Sequence, residues 1–153
     1  MSISKADVLA AQKTWGDGIV AIAKAHSQGG DYKERAIQHI KDLYAYGLTD
    51  VMFKPTLAAE KQFRPTFEGA LSYFIGSEGT EDSGFAIKGW TNVEWDVNGI
   101  FTSGDVAMSM GNYFFTAPDG SVTKVEFSFG YILDEKGALK INLHHSSMPY
   151  SPA

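Results

Sequence analysis

The chain has no cysteine, which excludes disulfides, thiolate nucleophiles and thiolate-held zinc together and fits a reducing compartment. Positive charge is scarce: 13 Lys and Arg stand against 18 Asp and Glu, and no cluster of them has the density that nucleic acid or an anionic membrane surface demands. Neither partner is expected. No apolar run approaches the roughly 20 residues that cross a bilayer, and Met1 to Asp7 has no apolar stretch ahead of its charges, so neither a membrane span nor a signal peptide is read. The expectation is a cytoplasmic protein. Internal repeats and low-complexity segments are also missing. What is present, 153 residues with 44% apolar and 13% aromatic side chains, suits one globular domain over 1–153 with a single core.

Ser4 followed by Asp7 reads as a helix N-cap, and Val8, Ala11, Trp15, Ile19, Ile22 and His26 continue at three- and four-residue spacing until Gly29-Gly30. Asp31 caps a second predicted helix with the stripe Ala36, Ile37, Ile40, Leu43 and Tyr44, stopped at Gly47. His26 and His39 on these helices lack partners at ligand spacing and read as surface or packing residues. Between Leu48 and Gly76 the signals are mixed. Val51 to Phe53 is a short apolar run, Leu57 to Phe63 has helical composition, and Ala70 to Ile75 serves equally as a strand or a buried helical turn. Beyond the polar loop from Gly76 to Gly84 the period becomes two. Trp90–Phe101, Val106–Phe115, Val122–Leu133 and Leu139–Ser147 read as four successive antiparallel strands joined by tight turns. Val125, Phe127, Phe129 and Tyr131 share one face of the third, Lys124, Glu126 and Ser128 the other. The result is an α+β domain with the N-terminal helices packed in the concave face of a bent antiparallel sheet.

The final strand and tail, Lys140 to Tyr150, concentrate the polar chemistry. Plain alternation puts Ile141, Leu143, His145 and Ser147 on one face and Asn142, His144 and Ser146 on the other. The apolar face should turn inward, carrying His145 and Ser147 with it. A buried imidazole and hydroxyl need either hydrogen-bonding neighbours or a ligand, since each costs about 1–3 kcal/mol if left unpaired. A pocket is one reading; a satisfied core histidine is the other. Asn112 and Tyr113 alternate on their strand, so at most one of them faces such a pocket.

This order of elements resembles the cone-shaped NTF2-like fold, in the branch related to the association domain of calcium/calmodulin-dependent kinase II and within the SnoaL-like superfamily. Four phrases, Phe53-Lys-Pro-Thr56, Ser72-Tyr-Phe74, Met110-Gly-Asn-Tyr-Phe114 and His144-His-Ser-Ser-Met-Pro149, are similar to the iota class of carbonic anhydrases. The resemblance implies interconversion of carbon dioxide and bicarbonate in a pocket inside the cone, without a metal in compact members and with manganese or zinc in others. A catalytic zinc needs about three protein ligands; here His144 and His145 are strand neighbours that point apart, so one metal cannot readily take both. No metal and no cofactor are expected.

Carried over by the phrase match, Thr56, Tyr73 and Ser147 supply hydroxyls and His145 the imidazole, with Asn112 as an additional substrate contact. Thr56 and Ser147 are too weakly acidic to generate hydroxide and would orient water and carbon dioxide. Tyr73 could act as a base if a cationic or hydrogen-bonded setting lowered its pKa from about 10, and His145, near 6.5, would accept the proton. The plain alternatives are that Thr56 caps a short helix from Leu57, that Tyr73 is a core aromatic, and that Lys54 and Arg64 are solvated charges. Two other functions stay open: a non-catalytic oligomerisation or small-ligand module, and a cyclase or isomerase for a larger substrate, which would need a roomier cavity and an inward acid where Glu126 faces outward. The outer sheet face with Lys124, Glu126 and Ser128 is where relatives of this fold dimerise, and a homodimer is expected.

Overall fold

The computed structural model describes residues 1–152. Helix α1 (Lys5–Ser27) opens on a reciprocal capping box between Ser4 and Asp7, and α2 (Tyr32–Leu43) on the Asp31 side chain, which accepts from the Glu34 amide. Both starts are local, which is why the sequence announces them. Tyr44, expected in the α2 stripe, lies just past its end in extended backbone and bridges Ile141, so its ring turns into the core. Met52–Lys54 forms a short strand, β1, absent from the sequence reading. No helix follows at Leu57 to Phe63, which is a run of turns and bends. The ambiguous stretch is helical: α3 spans Phe67–Ile75, capped by Thr66 and stopped at Gly76 in the left-handed region. Then come β2 (Asn92–Ser103), β3 (Val106–Thr116), β4 (Val122–Leu133) and β5 (Leu139–Ser147).

The sheet order is β1-β5-β4-β3-β2, antiparallel throughout except for β1, which pairs parallel with β5. Val125, Phe127, Phe129 and Tyr131 face inward as expected and enclose the core with Trp15, Ile19 and Ile22 of α1. Trp15 sits at its centre, its ring within 6.2 Å of those of Tyr113, Phe115, Phe129 and His144. Among the described residues no helix is long and apolar enough to cross a membrane.

The register of β5 decides which polar residues enter the core. Tyr131 pairs with Ile141 but Gly130 with Leu143, leaving Asn142 as an extra residue. This β-bulge shifts the alternation by one. Gly130 permits it, because a methyl there would lie 2.9 Å from both Asn142 and Leu143. Ile141 still faces in, but beyond the bulge His144 and Ser146 do so, 2% and 1% exposed, while His145 is exposed and Ser147 lies on the outer face. The expectation that His145 and Ser147 enter the core is therefore corrected: strict alternation fails at one inserted residue.

His39, read as a packing or surface residue, is fully inside, with its ring against Trp15 and Phe74 and its Nε2 without a partner. Burial pushes its pKa down to about 3, and burial, reinforced by the imidazoles of His145 and His39, holds His144 well below the usual histidine range. Both are neutral when folded, whereas the unfolded chain protonates them near pH 6.5. The unfolded state then binds more protons, so stability falls as the pH drops below about 6.5, by about 1.4 kcal/mol per pH unit for each histidine. Urea midpoints measured at about pH 7.5 and about pH 5.5 should differ clearly, the acid value being lower. Equal midpoints would show that these imidazoles are charged or exposed.

Candidate active site

Thr56, Tyr73, Tyr113, His144 and Ser146 converge from four parts of the chain. Thr56 follows β1 on the loop to α3, Tyr73 lies on the last turn of α3, Tyr113 on β3, and His144 and Ser146 beyond the bulge of β5. Ser146 Oγ is 2.5 Å from both Thr56 Oγ1 and Tyr113 OH, and Tyr113 OH is 3.1 Å from His144 Nε2. The backbone N–H of Leu57 donates to Tyr73 OH at 3.2 Å. His144 is clamped between Phe129 and Phe53, with ring centroids 4.1 and 4.8 Å away and both stacked. Pro55, Phe74, Phe85 and Trp15 complete an apolar wall round the polar cluster.

The enclosed space is about 10 Å³, roughly the room of a single water. A larger organic substrate does not fit there. Even carbon dioxide beside a water requires the lining side chains to give. A larger concavity, about 780 Å³, lies elsewhere, between the start of α3 with Glu68 and the loops carrying Glu60, Glu81 and Asp82. Its carboxylates would repel bicarbonate, so size is a poor guide here.

Of the residues expected from the sequence, Thr56 and Tyr73 are in the cluster. His145, Ser147 and Asn112 are not. These three gather on the opposite face of the sheet, with Glu126 and Met110, in a shallow concavity of about 400 Å³ where Ser147 Oγ donates to Glu126 at 3.3 Å. Their places in the cluster are taken by the chain neighbours His144, Ser146 and Tyr113. A signal for this was present: a glycine inside a strand of large residues, Gly130, commonly marks a bulge. Thr56 caps no helix, since none follows it.

The expected tuning of Tyr73 also changes. Arg64 does stand over the Tyr73 ring, 5.8 Å from its centroid, but burial outweighs that charge and the hydrogen bond from the Leu57 amide, and pushes the phenol up to about 12. Tyr73 is thus a neutral donor at working pH, not a phenolate base. Arg64 is no solvated charge either. It is 4% exposed, makes a two-pronged pair with Asp82 at 2.7 and 2.8 Å, and donates to the Lys61 and Gly69 carbonyls. Asp82 also accepts from Ser72, next to Tyr73, while the Glu81 carboxylate accepts the amides of Ala59, Glu60 and Lys61. These two acids pin the loop that carries Thr56 against α3. Lys54, half-buried on β1, donates to the Ser146 carbonyl at 3.2 Å. Among the described residues no three His, Asp or Glu side chains come together as a metal-holding group.

Comparison with known proteins gives the family. The family described as metal-independent carbonic anhydrase matches residues 6–148. A metal-independent carbonic anhydrase of Nostoc sp. (strain PCC 7120) is 41% identical over 97% of this chain and 75% of its own length. The crystal structure of an iota-carbonic anhydrase from a cyanobacterium, complexed with bicarbonate, superposes with a TM-score of 0.94 at 40% identity, covering 99% of this chain and 95% of that one. A putative calcium/calmodulin-dependent protein kinase II association domain from Xanthomonas campestris shares the fold at a TM-score of 0.67 and 22% identity, over 95% of this chain and 87% of its own. The open choice between enzyme and association module is settled at the level of family: this chain belongs to the metal-independent carbonic anhydrases.

Proposed function

We propose that this carbonic anhydrase interconverts carbon dioxide and bicarbonate in the cavity bounded by Thr56, Tyr73, Tyr113, His144 and Ser146, without a metal. The observation that carries the reading is the composition of the cluster: four hydroxyls and one imidazole, no carboxylate, inside an apolar wall. In hydration, water oxygen bonds to the carbon of carbon dioxide, one C=O electron pair moves onto its oxygen, and one proton of the water is released. Negative charge therefore grows on the oxygens of the nascent bicarbonate. Fixed hydroxyl donors in a site poor in water stabilise that charge without having to reorganise, and a carboxylate would oppose it. Ser146 and Thr56 hold the attacking water and substrate in line, and Tyr73 presents its phenol hydrogen to the forming anion. Lys54, beside the Ser146 carbonyl, favours the approach of bicarbonate.

Stopped-flow carbon dioxide hydration by chelator-stripped protein, with metal content checked and Tyr73→Phe in parallel, tests this. Full activity in the stripped protein and a loss of at least about tenfold in the variant is the expected result. Activity that returns only with added metal, or that survives in Tyr73→Phe, rejects the site.

The same reading includes a homodimer in the cytoplasm. Support for the dimer is the outer sheet face, where Phe101 (56% exposed), Met108 and Met110 stand in the open beside His145, an apolar area of the kind that marks interfaces. The cysteine-free composition supports the compartment.

A further inference from the structure

The cavity hydroxyls are the outer end of a longer hydrogen-bonded chain that runs to the centre of the core. From inside outward, Trp15 Nε1 lies 3.0 Å from Tyr44 OH, Tyr44 OH 2.8 Å from His144 Nδ1, and His144 Nε2 3.1 Å from Tyr113 OH. Ser146 and Thr56 follow. Trp15, Tyr44, His144, Tyr113 and Ser146 are all buried.

An indole N–H can only donate. Tyr44 OH therefore accepts from Trp15, and its single hydrogen goes to its other partner, His144 Nδ1. A neutral imidazole that accepts at Nδ1 carries its hydrogen on Nε2 and must donate to Tyr113. Tyr113 in turn donates to Ser146, whose own hydrogen must then turn outward, away from Tyr113 and toward Thr56 and the cavity. Tyr73 OH accepts the Leu57 amide, which leaves its hydrogen available to a ligand in the cavity. The opposite direction would have Tyr44 accept from both Trp15 and His144, leaving the Tyr44 hydrogen buried and unpaired, a penalised arrangement.

We infer that Trp15, through Tyr44, fixes the direction of the hydrogen bonds from the core to Ser146, holding His144 as its Nε2–H tautomer and turning the Ser146 hydrogen toward the cavity. Trp15 and Tyr44 are positioning residues. The inference rests on the cavity being the reaction site.

Long-range proton–nitrogen correlation spectra of the 15N-histidine-labelled protein report the tautomer directly. The expected result is a neutral His144 with hydrogen on Nε2 and a bare Nδ1. Hydrogen on Nδ1 overturns the inference whatever the variants do. In Trp15→Gln, whose amide oxygen can accept the Tyr44 hydrogen and so frees Tyr44 to accept from His144, the Nδ1–H form should appear and kcat should fall about tenfold, short of the roughly hundredfold expected for Ser146→Ala. Tyr44→Phe, which leaves Nδ1 without a partner, should keep the Nε2–H form, and an Nδ1–H form there also overturns the inference. Failure of the cavity reading is distinguishable: it leaves the tautomer as expected while Ser146→Ala and Tyr73→Phe keep full activity.

Discussion

Ser146→Ala is expected to lower carbon dioxide hydration roughly a hundredfold, the range seen when one fixed donor is removed from an oxyanion site, whereas Ser147→Ala stays within about twofold, as substitutions remote from a site do. The two serines are neighbours, so composition, strand and hairpin are common to both variants. Only the face differs. Ser146 is 1% exposed and joins Tyr113 to Thr56; Ser147 touches only Glu126, on the far side of the sheet. Removing the Ser146 hydroxyl leaves the Tyr113 and Thr56 hydroxyls each short of a partner, which costs about 1–3 kcal/mol and is tolerable in a chain of this size. A melting curve would show that the variant is folded, so lost turnover could be ascribed to the site. The same contrast applies to the histidines, with His145→Ala close to the parent and His144→Ala inactive. Equal effects of the two serine variants would show that β5 does not carry the bulge at Asn142.

Asp82→Asn should be the most damaging single change to stability that leaves the cavity lining intact. Arg64 is 4% exposed and its guanidinium relies on Asp82 for two charge-assisted hydrogen bonds, with Glu81 3.8 Å away as a weaker neighbour. Breaking a buried pair by removing one partner costs about 3–5 kcal/mol, because a charge is left without its counter-ion. At about 2–4 °C per kcal/mol for a domain of this length, a loss of roughly 10 °C in Tm follows. Replacing both partners by apolar residues, Arg64→Met with Asp82→Leu, should recover much of it, since no uncompensated charge remains. The loop from Pro55 to Arg64 carries Thr56 and is closed by the Arg64 amide donating to the Phe53 carbonyl at 2.7 Å. Turnover should therefore fall in Asp82→Asn even below its melting range. A Tm within about 2 °C of the parent would mean that Glu81 and the backbone carbonyls suffice to hold the guanidinium.

The acid-sensitive stability and the pinned loop have one origin. The core keeps two imidazoles and a guanidinium out of water, and each is tolerable only in one charge state. Burial holds His39 and His144 neutral, while Asp82, its carboxyl kept below the usual range by Arg64, holds Arg64 charged. Lowering the pH works against both, by protonating the unfolded imidazoles first and the carboxylate later.

The sequence by itself determined whatever depends on neighbours within a few residues. The caps at Ser4 and Asp31, the end of α1 before Gly29, the hairpin turns after β2, β3 and β4, and the inward face of β4 follow from short-range hydrogen bonds and from a period of two against 3.6. The family phrases pointed to Thr56 and Tyr73, which the fold brings to the cavity lining. Only the tertiary structure decided the rest. One inserted residue, Asn142 opposite Gly130, exchanges His145 and Ser147 for His144 and Ser146 in the cavity, because alternation carries a single error through every later position of a strand. The partners of the buried polar groups are equally remote, Tyr44 standing 100 residues from His144 and Thr56 90 from Ser146. Arg64 looks solvated until the fold brings Asp82 to it and closes off the water. Local propensity carries no information about such contacts, since they exist only where burial makes an unpaired polar group too costly to keep.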